Sequence, residues 1–235
     1  MIRRLHAELL AEYGPQGWWP VPGRAGRRGF DGRGYHAGDF LTPRVPRDRF
    51  EVVMGAVLTQ NTAWTNVETA LRRLREAGIR LPADVLSCPP ARLGSLIRSS
   101  GYYNQKALKL RGIAVLFQAA RALSPAGGPS RDALLAQWGV GAETADSILL
   151  YAFQKPVFVV DAYTRRILGR MGLIEGRESY GAIQGMFHAA LSPRHELFNE
   201  YHALIVEHAK RHCRSTPVCV GCPVRTCRHR SSNGT

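Results

Sequence analysis

Four of the five cysteines fall within fifteen residues, in the pattern Cys213-x5-Cys219-x2-Cys222-x4-Cys227. Four thiolates on a short loop after a helix form a soft donor set, suited to Zn²⁺ or to an iron–sulfur cluster. Zinc ribbons usually show two C-x2-C knuckles, so one central pair with longer flanking gaps leans toward a cluster. Cys88, far upstream, reads as a structural thiol. A second group of residues, Trp138-Gly139-Val140-Gly141-Ala142-Glu143-Thr144, lies between two helical patterns. Two glycines flanking one apolar residue allow a tight turn whose backbone N–H groups approach an anion closely. The helix that follows adds its own donors and partial positive charge. Downstream comes Asp161, in Val159-Val160-Asp161-Ala162-Tyr163. On position alone it reads as the N-cap of the next helix.

The elements that must position these groups are helical. Residues 1–13 form an amphipathic helix with Leu5, Leu9 and Leu10 on one face. Asp48 followed by Glu51 resembles a capping box, with Val53, Val57 and Leu58 continuing the apolar stripe. A turn at Thr59-Gln60-Asn61-Thr62 precedes a helix running to Arg75. Further helices are predicted over 90–99, 104–122, 130–138, 143–153, 162–171, 180–191 and 194–211, with glycines at the breaks. The run Val157–Val160 is ambiguous but too short to build a sheet, so the fold class is all-α.

The formal net charge is +14, from 32 basic against 18 acidic residues, which points to a polyanionic partner, usually nucleic acid. Of the basic residues only Lys106, Lys109, Lys155 and Lys210 are lysines; all the others are arginines. Arginine grips phosphate bidentately but cannot act as an amine nucleophile. No lysine is expected near the hairpin, save Lys155 one helix later. The N-terminus, Met1-Ile-Arg-Arg-Leu-His, lacks the apolar core of a signal peptide, and no run is long enough to span a membrane. An intracellular protein is expected, where disulfides among the clustered thiols would be out of place.

Gly139-Val140-Gly141, Thr144-Ala145, Val160-Asp161 and the four-cysteine tail, in this order and spacing, resemble the endonuclease III superfamily of DNA glycosylases. Tyr103-Asn104-x-Lys106-Ala107 after Gly101 matches the same family, in a loop that contacts damaged DNA. The resemblance spans about Asp48 to Cys227. It implies a two-domain all-α helix–hairpin–helix glycosylase fold. A six-helix domain would span 47–158 and carry the hairpin in 138–153. Residues 1–20 with 159–228 would form the second domain, with the cluster loop at 213–227. Residues 21–46 would be a Gly/Arg-rich loop and 229–235 a tail. It also implies a [4Fe–4S] cluster on Cys213, Cys219, Cys222 and Cys227, although each outer gap is one residue shorter than is common in the family. The partner implied is double-stranded DNA with damaged bases or abasic sites, lying across the cleft between the domains. No membrane role is expected, and the protein would act as a monomer in the cytoplasm, on the nucleoid in a bacterium.

Members that also cut the backbone carry lysine at the position of Glu143. A carboxylate cannot form their Schiff base. The resemblance therefore implies a glycosylase with weak or absent lyase activity. Asp161 would stabilise an oxocarbenium-like sugar and orient or activate a water. Glu143 also fits a plain first-turn acid complementing the helix dipole. Gly55–Thr62 with Trp64, and Trp18-Trp19-Pro20, look like the 3-methyladenine branch, which lines its base pocket with aromatics from these two places. A base alkylated at a ring nitrogen is cationic, and indole faces attract desolvated cations. The same tryptophans also fit simple core packing. By family position Gln60, Asn61 and Tyr102 are candidates to fill the space left by a flipped base, and Gly139, Val140, Gly141 and Thr144 to hold phosphate. The competing readings are a bifunctional glycosylase/lyase acting on oxidised pyrimidines, a DNA-binding homologue with little catalysis, and a zinc-bearing structural protein.

Overall fold

The amphipathic pattern of the N-terminus folds as helix α1 (Ile2–Tyr13), with Ile2, Leu5 and Leu9 buried. This is a computed structural model, and it describes residues 1–118, 123–124 and 127–229. All regular structure among them is helical, with no strand at Val157–Val160. The chain divides into two compact units, one of residues 1–18 with 156 onward, the other of Trp19–Lys155.

In the first unit α1 packs on α10 (Tyr180–Ala190) and α11 (His195–Arg211), and α11 packs on α9 (Ala162–Met171). Phe158 stacks on Phe187 at 3.7 Å and meets Phe198 edge-on at 5.7 Å. The buried Tyr201 hydroxyl donates to Ile2 O at 2.8 Å, fastening α11 to the start of α1. Capping is local and readable in the sequence. Ser179 accepts from Ala182 N, and Gly172 ends α9 at φ +72.

The second unit is built round α2 (Pro46–Leu58), which is buried continuously from Asp48 to Leu58. A helix enclosed on all sides shows no clear amphipathic stripe. Around it pack α3 (Trp64–Glu76), α6 (Tyr103–Leu116) and α8 (Ala142–Ser147), which runs on as a π-helical turn, Ile148–Ala152. The short α4 (Pro82–Ser87) and α5 (Pro90–Leu96) rest on α6, and α7 (Arg131–Leu135) packs on α8.

Several expectations change. α2 begins at Pro46, which suits the first helical position, so Asp48 sits inside the first turn and forms no capping box with Glu51. α4 escaped the sequence reading, yet Pro82 opens it and Asp84 accepts from the Leu81 N–H at 2.8 Å. The 90–99 helix breaks into α5 and a 3-10 turn, and the 143–153 helix changes to π geometry halfway. Residues 119–122 of the expected 104–122 helix, and 230–235 of the tail, lie outside the described residues. Residues 21–46 form an ordered strap within the second unit. Val21 N donates to Gly34 O, and the buried His36 bonds Trp19 O at 2.8 Å and Asp39 O at 2.7 Å. Gly34 sits at φ +89, where a Cβ would lie 2.3 Å from Val21 O.

Candidate functional site

In the first unit Asp161 does cap α9, as its position suggests. Oδ1 accepts from Thr164 N at 2.7 Å and from Thr164 Oγ1 at 2.8 Å. The cap leaves Oδ2 for other work, and it faces His202 Nε2 of α11 at 3.6 Å. The two side chains are 13% and 6% exposed. Burial pushes the Asp161 carboxyl up; the nearby His202 and the two Thr164 donors outweigh it and hold it below the usual carboxylate range. Trp18 stands edge-on to the His202 ring at 5.8 Å, and Lys210 Nζ lies 5.8 Å above the Trp18 ring. His202 carries no sequence signal: it is one more residue on the buried face of a long helix.

In the second unit the hairpin joins α7 to α8. Arg131 grips the fully buried Asp146 through two bonds, at 2.7 and 3.1 Å, and bolts the two helices together. Gly139 is required by its backbone, at φ +74; a Cβ there would also press on the end of the flexible Lys109 side chain, which would have to shift. Gly141 has an ordinary φ of −90 with open space where a side chain would go. Val140 is buried, Glu143 is exposed in the first turn of α8, and Thr144 is buried.

Gln60 does not project freely. Its amide N donates to Gly139 O at 3.1 Å and Thr144 Oγ1 at 2.9 Å, and its carbonyl accepts from Lys109 Nζ at 2.6 Å. Because an ammonium only donates and a carbonyl only accepts, this network fixes which way the amide points. Lys109 also lies 5.8 Å from the ring of the exposed Trp138. The expectation that no lysine approaches the hairpin is therefore wrong. Lys109 reaches it from α6, because helix packing brings together residues that sequence distance separates. Lys155 is exposed, and its backbone N–H bonds Leu149 O.

Asn61 and Tyr102 both hold left-handed backbone, at φ +53 and +44, and both are exposed. One buried amine ties their loops together. Lys106 Nζ donates to Leu58 O at 2.8 Å and Ser100 O at 2.6 Å. Burial, with Lys109 nearby, pulls its pKa down to about 8. Lys106 therefore sits inside the unit as a staple rather than at a surface that meets a ligand.

The tryptophans divide. Trp18 belongs with Asp161 and His202, whereas Trp19 is in the other unit. Trp19 meets Trp64 edge-on at 5.2 Å and Tyr151 at 4.9 Å. It also lies over α2 at Gly55, where a Cβ would stand 3.2 Å from the indole nitrogen. Pro20 is buried beside it in the chain, and the buried Trp64 Nε1 has no hydrogen-bond partner among the described residues. Tyr151, presented by the π turn, is a member of this group that the sequence did not reveal.

The four clustered thiols carry no disulfide and line one open cleft in the first unit. Arg170 Nη1 points at Cys213 Sγ from 3.2 Å and also bonds Arg214 O, while Nη2 bonds Ser215 O. Among the described residues no three potential ligands close round a single ion position.

Residues 54–192 match the model of the HhH-GPD superfamily base excision DNA repair protein. A Methanocaldococcus jannaschii protein named as a DNA repair glycosylase is 36% identical over 96% of this chain and 94% of its own. The 3-methyladenine DNA glycosylase of H. pylori, solved with 1,N6-ethenoadenine, superposes with TM-score 0.60 at 29% identity, over 74% of this chain and 92% of that one. A non-covalent endonuclease III–DNA complex superposes with TM-score 0.75 over 98% of this chain and 95% of that one; at 22% identity it speaks for the fold.

Proposed function

The chain belongs to the HhH-GPD superfamily as a DNA glycosylase of base excision repair, and from that premise we propose that it hydrolyses the glycosidic bond of alkylated, 3-methyladenine-like bases. The observation that carries this reading is the aromatic group of Trp19, Trp64 and Tyr151, whose rings meet at 4.9 and 5.2 Å. These rings meet edge-on and tilted rather than stacked, and an indole face offered to a flat cationic base is worth about 2 kcal/mol when that base is desolvated. A base that already bears positive charge leaves readily, so the protein need supply little acid catalysis. Asp161, held ionised, stabilises the cationic sugar and orients the attacking water. The hairpin's open Gly141 end supports its role in holding backbone phosphate.

Hydrolysis without strand cutting is supported by Glu143, which stands in the first turn of α8 and cannot form an imine. The bifunctional reading draws on a different amine, Lys109 beside Gly139. One experiment addresses both. Alkylated duplex DNA should release 3-methyladenine with wild-type protein. Release should fall roughly 10²-fold or more in Trp19→Ala or Trp64→Ala, with binding to a stable abasic analogue retained. Borohydride should trap little covalent adduct. Efficient trapping that disappears in Lys109→Ala would replace the hydrolytic reading, and equal loss of release and binding would remove the pocket role.

We also propose that Cys213, Cys219, Cys222 and Cys227 hold a [4Fe–4S] cluster. The support is an all-thiol donor set around one cavity, with the Arg170 N–H directed at Cys213 sulfur. A bound cluster would cross-link residues 213–227 through these four thiolates, beside Arg170 of α9, which bonds the Arg214 and Ser215 carbonyls of the same loop. Purified protein should show broad visible absorption and contain iron and acid-labile sulfide, with Cys222→Ala losing both. Stoichiometric zinc in place of iron would overturn the assignment.

A further inference from the structure

The second unit also contains a shallow open cleft whose walls carry five arginines and two carboxylates. Both acids are already engaged. Asp48 and Glu51 are each 6% exposed. Arg24 Nε bonds Asp48 Oδ2 at 2.7 Å; Arg75 Nη1 and the Gly23 N–H reach Glu51 Oε1 at 3.3 and 2.7 Å. This inner layer is balanced in charge. Burial raises the Glu51 pKa against the pull of Arg75.

The other three arginines are not balanced. Arg27, Arg47 and Arg80 are exposed, line the same cavity, and make no ion pair among the described residues. They come from three places in the chain: the strap, the first turn of α2, and the segment after α3. Only folding gathers them. Gly23 is what lets the strap dock so closely, since a Cβ there would stand 2.7 Å from Glu51 Oε2. Three arginines lining one open space suit an anion with several oxygens, and the planar forks of arginine match phosphate best.

We propose that this cavity binds a phosphate group, and that the 21–46 strap exists to complete it. Two sources share that chemistry, the DNA backbone beyond the base-excision site and a free phosphate or pyrophosphate. The first rests on DNA being the substrate. The test uses the full-length protein and the variant R27Q/R47Q/R80Q. A control, R28Q/R73Q/R92Q, removes the same charge from exposed positions of the same unit. Affinity for a duplex with a stable abasic analogue is measured against salt. If the backbone is the ligand, the slope of log K against log salt falls by about 1 in the cavity variant. The control then changes less, and the single-turnover rate of base release at saturating enzyme stays at the wild-type value. If free phosphate is the ligand, inorganic phosphate or pyrophosphate raises the melting temperature of wild type and control but not of the cavity variant. Equal slopes in cavity variant and control, with no phosphate effect on melting, would overturn the proposal. Failure of wild-type protein to release any alkylated base would count against the substrate assignment and leave both binding measurements readable.

Discussion

Asp161→Asn should reduce base release roughly 10²–10⁴-fold while the protein folds and binds abasic DNA normally. The separation of effects follows from the two oxygens of this side chain. Oδ1 is the helix cap, receiving both Thr164 donors. Asparagine caps as well as aspartate, so α9 keeps its first turn and the melting temperature should hardly move. Oδ2 is the one that faces His202, and in the proposed reaction the carboxylate charge, shared by both oxygens, is what the sugar meets. An amide there offers no negative charge to a developing oxocarbenium ion and no base to a water. Asp161→Ala would lose both functions and destabilise the fold by about 1 kcal/mol as well, which makes it the poorer probe. Release is measured in single turnover and binding on a stable abasic analogue. Near-wild-type release by the Asn variant would remove Asp161 from the chemistry and restore its reading as a cap alone.

Arg49→Met should cost on the order of 3–5 kcal/mol of stability, from the loss of donors to three buried carbonyls at about 1–3 kcal/mol each. Arg49 is 1% exposed within α2. It donates to Ala152 O at 2.7 Å, Leu123 O at 2.8 Å and Pro43 O at 2.9 Å. Its guanidinium also lies 5.8 Å from the Phe153 ring. One side chain therefore ties together the end of the strap, the segment beyond α6 and the π turn that presents Tyr151. The unfolding midpoint should drop by roughly 10 °C. Arg49→Lys should recover only part of this, because a single ammonium cannot reproduce a fork that points three ways. A Met variant that melts with the wild type would show the three carbonyls to be satisfied in another manner.

The legible parts of this protein are those decided within a turn or two of chain. Gly139, Asp161 and Gly172 announce a turn, a cap and a helix end because their backbone and side-chain preferences act on immediate neighbours. Prediction failed where two local signals compete. The Asp48–Glu51 spacing mimicked a cap, while Pro46, two residues earlier, had already opened the helix. The buried α2 displays little periodicity, since every face of it meets the core.

Residue types and order alone determined an all-helical chain, a glycine hairpin preceding a capping aspartate, clustered thiols and a surplus of arginine. These follow from local conformation and composition, which need no knowledge of the fold. Only the tertiary structure decided which distant groups meet. It brought His202 to Asp161, Lys109 to Gly139 and Tyr151 to Trp19, and it sent the adjacent Trp18 and Trp19 into different units. Such pairings depend on how whole helices pack, and no single residue along a helix records which neighbour its buried face will find. The arginine surplus, similarly, points to a polyanionic partner without saying where it is met. Where Arg27, Arg47 and Arg80 converge was settled by the docking of the strap on α2.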